Sequence, residues 1–83
     1  KIVESRFQVK RVNDFDDVYD IDLIDLESNF PVIIEGEHEN YGGDLEGKIE
    51  TLEKGMEIKA TVKSEDVEMN DAIWHFKSID IIE

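Results

Sequence analysis

The chain has 83 residues, of which 40% are hydrophobic and 37% are charged, and its 22 acidic and 9 basic residues give a formal net charge of −13. This length allows one domain with a modest core, and the hydrophobic fraction excludes a chain too polar to fold. There is no cysteine, which excludes disulfides and thiolate metal sites. No apolar run approaches the roughly 18 residues of a membrane-spanning helix.

The negative charge restricts the partners that this chain can bind. A chain of this charge repels phosphate backbones and anionic membrane surfaces and attracts basic proteins, so we expect no membrane binding. The first residues lack the apolar segment of a signal peptide, and a cytoplasmic protein is the expectation. We expect a single domain over residues 1–83. Because the first residue is Lys rather than Met, we also consider a domain excised from a longer chain.

Alternating apolar and polar residues predict three strands in the first half, over residues 4–12, 18–26 and 30–36. Asn and Asp residues in 13–17, and the polar residues 27–29, predict the turns between them. The apolar neighbours Leu23 and Ile24 shift the alternation of the second strand by one residue, which predicts a β-bulge there. Pro31 fits only the start of the third strand, because proline cannot donate to a central ladder.

The second half predicts a short helix over residues 44–53. Leu45, Ile49 and Leu52 recur at helical spacing. Asp44 is the candidate N-cap, and Gly55 stands where a helix C-terminal glycine belongs.

Two strands follow the helix. The fourth, over residues 56–67, has the cleanest alternation in the chain, and the fifth spans residues 72–82. In the fifth strand Trp74 and Phe76 lie on one side, whereas Ile79 and Ile81 have the opposite parity. This strand therefore needs a twist or a bulge.

This order of elements, and two stretches near the end of the chain, resemble an OB-fold domain. The helix-to-strand-four signature of these domains resembles Leu52-x-x-Gly55-Met56-x-Ile58-x-Ala60-x-Val62, and their last strand resembles residues 73–82. The resemblance implies an all-β fold with one short helix, arranged as a five-stranded Greek-key barrel. An SH3-like barrel is the alternative.

The resemblance also implies a binding face on strands two and three, flanked by the loops between strands one and two and between four and five. We expect the face to be acidic, with a few aromatic rings, and its candidate residues are Asp14, Phe15, Asp16, Asp17, Tyr19, Asp20, Asp22, Phe30, Glu35 and Tyr41. The preferred hypothesis is a non-enzymatic interaction module that binds a protein partner with a basic surface. The alternative is single-stranded nucleic-acid binding with Phe15, Tyr19 and Phe30 stacking on bases, which the carboxylates disfavour because such sites need a positive groove.

Catalytic and metal-binding patterns are weak in this sequence. None of the serines lies in a nucleophile motif, the Gly42-Gly43 pair lacks the residues of a phosphate loop, and His38 and His75 are too few for a transition-metal site. We therefore expect no enzymatic activity and no cofactor. Lys59 and Lys63, with Lys54 nearby, form an exception to the acidic surface.

Overall fold

The chain folds into a closed β-barrel with one short helix. The computed structural model describes residues 1–15, 18–37, 41, 43–64 and 73–82. In chain order the elements are β1 Ile2–Phe15, β2 Val18–Asp25, β3 Pro31–Glu37, α1 Gly43–Glu50, β4 Glu57–Ser64 and β5 Trp74–Ile81. The predicted class, all-β with one short helix in a five-stranded barrel, is confirmed.

The strands are arranged around the barrel in the order β1-β2-β3-β5-β4, and β4 returns to β1. Neighbouring strands are antiparallel except β3 and β5, which run parallel. In the described part of the chain, β3 and β5 are joined only through Ile34 and Trp74. The barrel therefore closes at a short seam, and the arrangement is compatible with an OB-like barrel.

The barrel interior is filled by the apolar positions of each alternating strand. In β2 the inward side chains are Tyr19, Ile21 and Leu23, whereas the residues between them are partly exposed. Strand β4 repeats this pattern, and Ile49 and Leu52 add to the core from the helical segment. The alternation along a strand thus separates an apolar interior from a polar exterior, as expected for a half-buried sheet.

The bulge predicted in β2 is wrong. Strand β2 alternates without a break up to Asp25, which takes an inward position. The register shift lies instead in β1, between Val9 and Arg11, so Lys10 is the additional residue. Asp25 fits the inward position because hydrogen bonds from Ser5 and from the following turn satisfy its carboxylate.

The irregularity predicted in the fifth strand is confirmed. Thr61 lies opposite Ser78 and the next residue, Val62, lies opposite Phe76, so Lys77 is the additional residue of β5. The bulge changes the parity of the strand and turns Ile79 into the core.

Several predicted boundaries differ from the structure. Strand β1 continues through residues 13–15, which were predicted as a loop, because they pair with the start of β2. Residues 65–67, predicted at the end of the fourth strand, lie outside the described residues. Helix α1 ends at Glu50, and Asp44 belongs to its first turn rather than to its cap.

Gly55 has φ 96° and its N–H donates to the carbonyl of Val9 at 2.8 Å, so it shapes the turn into β4 instead of ending the helix.

Candidate interaction face

The outer surface of β2 and β3 carries the densest acidic charge among the outward strand positions that the structure describes. We call this surface the β2–β3 face and define it by the outward side chains of the two strands: Val18, Asp20, Asp22, Ile24, Pro31, Ile33, Glu35 and Glu37. Four of these eight side chains are carboxylates and none is basic. The face therefore combines negative charge with exposed apolar surface.

The pairing of β2 with β3 places two carboxylates directly opposite each other. Asp20 faces Glu35. The next outward pair, toward the turn between β2 and β3, is Asp22 and Ile33. Side chains of directly opposed residues start from Cβ atoms about 4.5–5.5 Å apart, and like charges at this distance are destabilising. The face thus retains an arrangement that works against the stability of the sheet.

One cation from β1 lies beside this pair. Arg11 stands opposite Asp22, with its Nε 3.1 Å from the Asp22 carboxylate and its Nη2 3.7 Å from that of Asp20. The Arg11 side chain is 58% exposed, so solvent screens both contacts and each contributes little to stability.

An exposed apolar pair lies at one end of the face. Phe15 stands opposite Val18 at the end of the β1–β2 ladder, and the two are 62% and 41% exposed. Ile33 adds a further exposed apolar side chain beside Asp22. Phe30 is also exposed, but it precedes β3 at the opposite end. Because Val18 and Ile24 are six positions apart along β2, the two ends are about 20 Å apart.

Two of the four predicted aromatic contact residues are not on the surface. Tyr19 is 1% exposed and Tyr41 is 8% exposed, and their rings pack with centroids 5.8 Å apart. Tyr19 has the same parity as Ile21 and Leu23, so strand alternation turns it inward. Burial, with a further contribution from the nearby carboxylates of Glu46 and Glu50, raises the pKa of Tyr19 to about 12. The prediction that these rings are exposed is therefore wrong.

Tyr41 instead fills the seam between β3 and β5. Its hydroxyl accepts a hydrogen bond from the N–H of Phe76 at 3.3 Å, two residues beyond the pair that joins the strands. A Cβ built on Gly36 would lie 3.4 Å from that hydroxyl and 3.5 Å from His75 Nδ1. These are ordinary van der Waals distances, so the Tyr41 hydroxyl lies close against β3 at Gly36.

The remaining predicted residues divide into four groups. Phe15, Asp20, Asp22 and Glu35 are brought together on the outward side of β2 and its two neighbours. Asp14 instead pairs with Tyr19, which has the opposite parity and points inward. Phe30 is exposed but remote from Phe15. Asp16 and Asp17 lie outside the described residues, as does His38.

A buried polar cluster at the end of β2 had not been predicted. The Ser5 hydroxyl lies 2.7 Å from carboxylate oxygens of both Asp25 and Glu27, although one hydroxyl proton serves only one of them. Burial acts to raise the pKa of Asp25, but hydrogen bonds from Ser5 and from the N–H groups of Glu27 and Ser28 outweigh it and hold that pKa below its usual value. The sequence does indicate an inward carboxylate at this position, because Asp25 continues the alternation of Tyr19, Ile21 and Leu23.

The lysines that the sequence set apart do not form a purely positive surface. Lys59 is exposed between Arg6 on β1 and Asp80 on β5. Arg6 is paired with Glu57. Cations and carboxylates therefore alternate on this side of the barrel.

Comparisons of this chain with protein-family models, curated proteins and solved structures found no match. The described residues contain no group of three or more potential metal ligands. No helix among them is long and apolar enough to cross a membrane. The functional argument consequently depends on the geometry and charge of the chain itself.

Proposed function

We propose that this chain is an OB-like, non-enzymatic interaction module that binds the basic surface of a protein partner through the β2–β3 face. The OB assignment is supported by the strand order β1-β2-β3-β5-β4, the parallel contact of β3 with β5 and the helix between β3 and β4. The location of the face follows from the same assignment, because OB-folds bind ligands on strands two and three.

The observation that carries the proposal is the direct opposition of Asp20 and Glu35. Like charges directly opposite each other on a sheet are destabilising. Local rules of sheet stability are most often broken at functional sites. A Lys or Arg from a partner would relieve the repulsion, so binding recovers the energy that folding loses.

Single-stranded nucleic acid is the second candidate, supported by the exposed rings of Phe15 and Phe30. Burial of Tyr19 removes the ring that would have stood between them. Base stacking on successive side chains needs a closely spaced aromatic platform in a positive groove. The four carboxylates of the face oppose the phosphate contacts that supply most of the affinity, which makes the protein partner the better supported candidate.

The two candidates are separated by a titration followed by nuclear magnetic resonance. Isotope-labelled protein is mixed at low salt with a peptide rich in Arg and Lys, and separately with single-stranded DNA and RNA oligonucleotides. We expect the peptide to shift the amide signals of β2 and β3, and the oligonucleotides to leave them unchanged at micromolar concentration.

A charge-matched pair of variants tests the location. The variant Asp20→Lys/Asp22→Lys should lose peptide binding, whereas Glu53→Lys/Asp80→Lys, with the same change of charge at exposed positions elsewhere, should retain most of it. Equal weakening by both variants would mean that net charge, not the β2–β3 face, attracts the peptide. Micromolar binding of an oligonucleotide would favour the nucleic-acid candidate.

A further inference from the structure

The apolar end of the β2–β3 face carries information about the partner. Phe15 and Val18 lie opposite each other and remain largely exposed. Asp20 follows Val18 by two positions on the same side of β2, which corresponds to about 7 Å along the strand. An apolar contact surface and the opposed carboxylates are therefore neighbours on one sheet face, and an occupant of one also reaches the other.

Arg11 shows which cation fits the carboxylates. A guanidinium presents N–H donors in a planar fork that matches two carboxylate oxygens, whereas an ammonium acts as a single point charge. Arg11 already approaches two carboxylates, those of Asp22 and Asp20. Its exposure means that water screens these contacts and that its side chain is easily displaced.

We infer that the β2–β3 face binds a protein segment that presents an arginine beside a large apolar side chain. In this inference, Arg11 competes with the partner's arginine for the carboxylate of Asp20. This inference rests on the proposed function. The partner's apolar side chain covers Phe15 and Val18, and its guanidinium binds between Asp20 and Glu35. Arg11 limits the affinity because its guanidinium lies 3.7 Å from Asp20, one of the two carboxylates that the incoming arginine needs.

The geometry also restricts the spacing within the partner segment. The two anchors must lie about 7 Å apart, which alternate residues of an extended strand provide. Residues three or four positions apart on a helix lie about 5–6 Å from each other and fit nearly as well. The opposed carboxylates favour an arginine by charge complementarity. The exposed pair Phe15 and Val18 favours an apolar side chain next to it.

The test is isothermal titration calorimetry with the full chain and three synthetic peptides. The first peptide repeats Arg-Ser-Leu-Ser, which places Arg and Leu two residues apart on one side of an extended strand; the second replaces each Arg by Lys, and the third replaces each Leu by Ser. Wild-type protein should bind the first peptide best. The variant Arg11→Gln should bind it about threefold to fivefold more tightly, which is the range expected for removing one exposed competitor.

Lys59→Gln is the matched control, because it makes the same change of net charge on the opposite side of the barrel. It should leave the affinity within twofold of wild type. Val18→Ser should weaken binding of the first peptide and have little effect on binding of the third peptide, in which Ser replaces Leu. Circular dichroism of each variant establishes that it is folded.

The outcomes distinguish this inference from the proposed function. If the wild-type face binds the basic peptide but Arg11→Gln and Lys59→Gln affect affinity equally, Arg11 is not a competitor and the inference is wrong while the proposed function stands. If the Lys peptide binds as well as the Arg peptide, the choice of arginine is wrong. If no peptide binds at the β2–β3 face of any variant, both are overturned.

Discussion

Replacing Tyr41 by Ala should be among the most damaging single changes in this barrel, because the tyrosine fills the seam where β3 and β5 diverge. The ring packs against Tyr19, and the hydroxyl accepts the N–H of Phe76, a residue that is itself 4% exposed. The matched variant Tyr41→Phe keeps the ring and removes only the hydrogen-bond acceptor. Comparing the two separates packing from hydrogen bonding.

The expected losses follow from these contacts. An unsatisfied buried donor costs about 1–3 kcal/mol, and the 3.3 Å length of this hydrogen bond places Tyr41→Phe near the low end, at about 1 kcal/mol. Removing a buried aromatic ring costs about 3–5 kcal/mol. Because the Tyr41 side chain fills the seam and keeps 8% of its surface exposed, we expect the low end of this range, about 3 kcal/mol, for Tyr41→Ala.

Urea denaturation followed by the fluorescence of the buried Trp74 measures both losses. In a domain of this size each kcal/mol lowers the melting temperature by about 4–8 °C. Hydrogen exchange of the Phe76 amide gives a second measurement, and its protection should fall in Tyr41→Phe. Phe30→Ala serves as the control, because this ring is exposed and its loss should change stability by less than about 0.5 kcal/mol.

The reasoning is refuted by two results. If Tyr41→Phe has wild-type stability and unchanged exchange at Phe76, the hydroxyl does not serve that amide. If Tyr41→Ala loses less than about 1 kcal/mol, the ring does not hold the seam together.

Three further predictions concern the turn into β4 and two titrating residues. Gly55→Ala should lose about 1 kcal/mol of unfolding free energy in urea, since φ is 96° there, whereas Gly43→Ala, with open space around its Cβ, should cost less; equal losses would contradict the role of backbone strain. Asp25→Asn should destabilise the protein at neutral pH, and the difference from wild type should shrink as the pH falls below 3.8, because a carboxylate whose folded-state pKa is lowered stabilises the fold only while ionised; a pH-independent difference in melting temperature would contradict this. Since the pKa of Tyr19 is raised from 10.0 to about 12, wild type should lose stability as the pH rises between these values, by on the order of 2 kcal/mol. Tyr19→Phe should show a smaller alkaline loss in urea titrations, while Tyr41, whose pKa burial also raises, keeps its own contribution; an identical alkaline profile would refute the assignment.

Local alternation determined which strands exist and which side of each is apolar. Ile58, Ala60 and Val62 predicted β4, and the change of parity between Phe76 and Ile79 predicted the bulge that Lys77 forms. The inward direction of Tyr19 was also readable from the sequence, because it shares its parity with Ile21.

The tertiary structure decided which side chains of different strands become neighbours. That Asp20 opposes Glu35, and that Arg11 reaches Asp22, depends on the register between strands, which a bulge at Lys10 moves without any signal in the neighbouring residues. Tyr41 belongs to no strand, so no periodicity told whether it would point outward or close the seam. Alternation is a property of one strand and can be read along the chain, whereas register and seam filling are properties of two or more segments and arise only when the barrel closes.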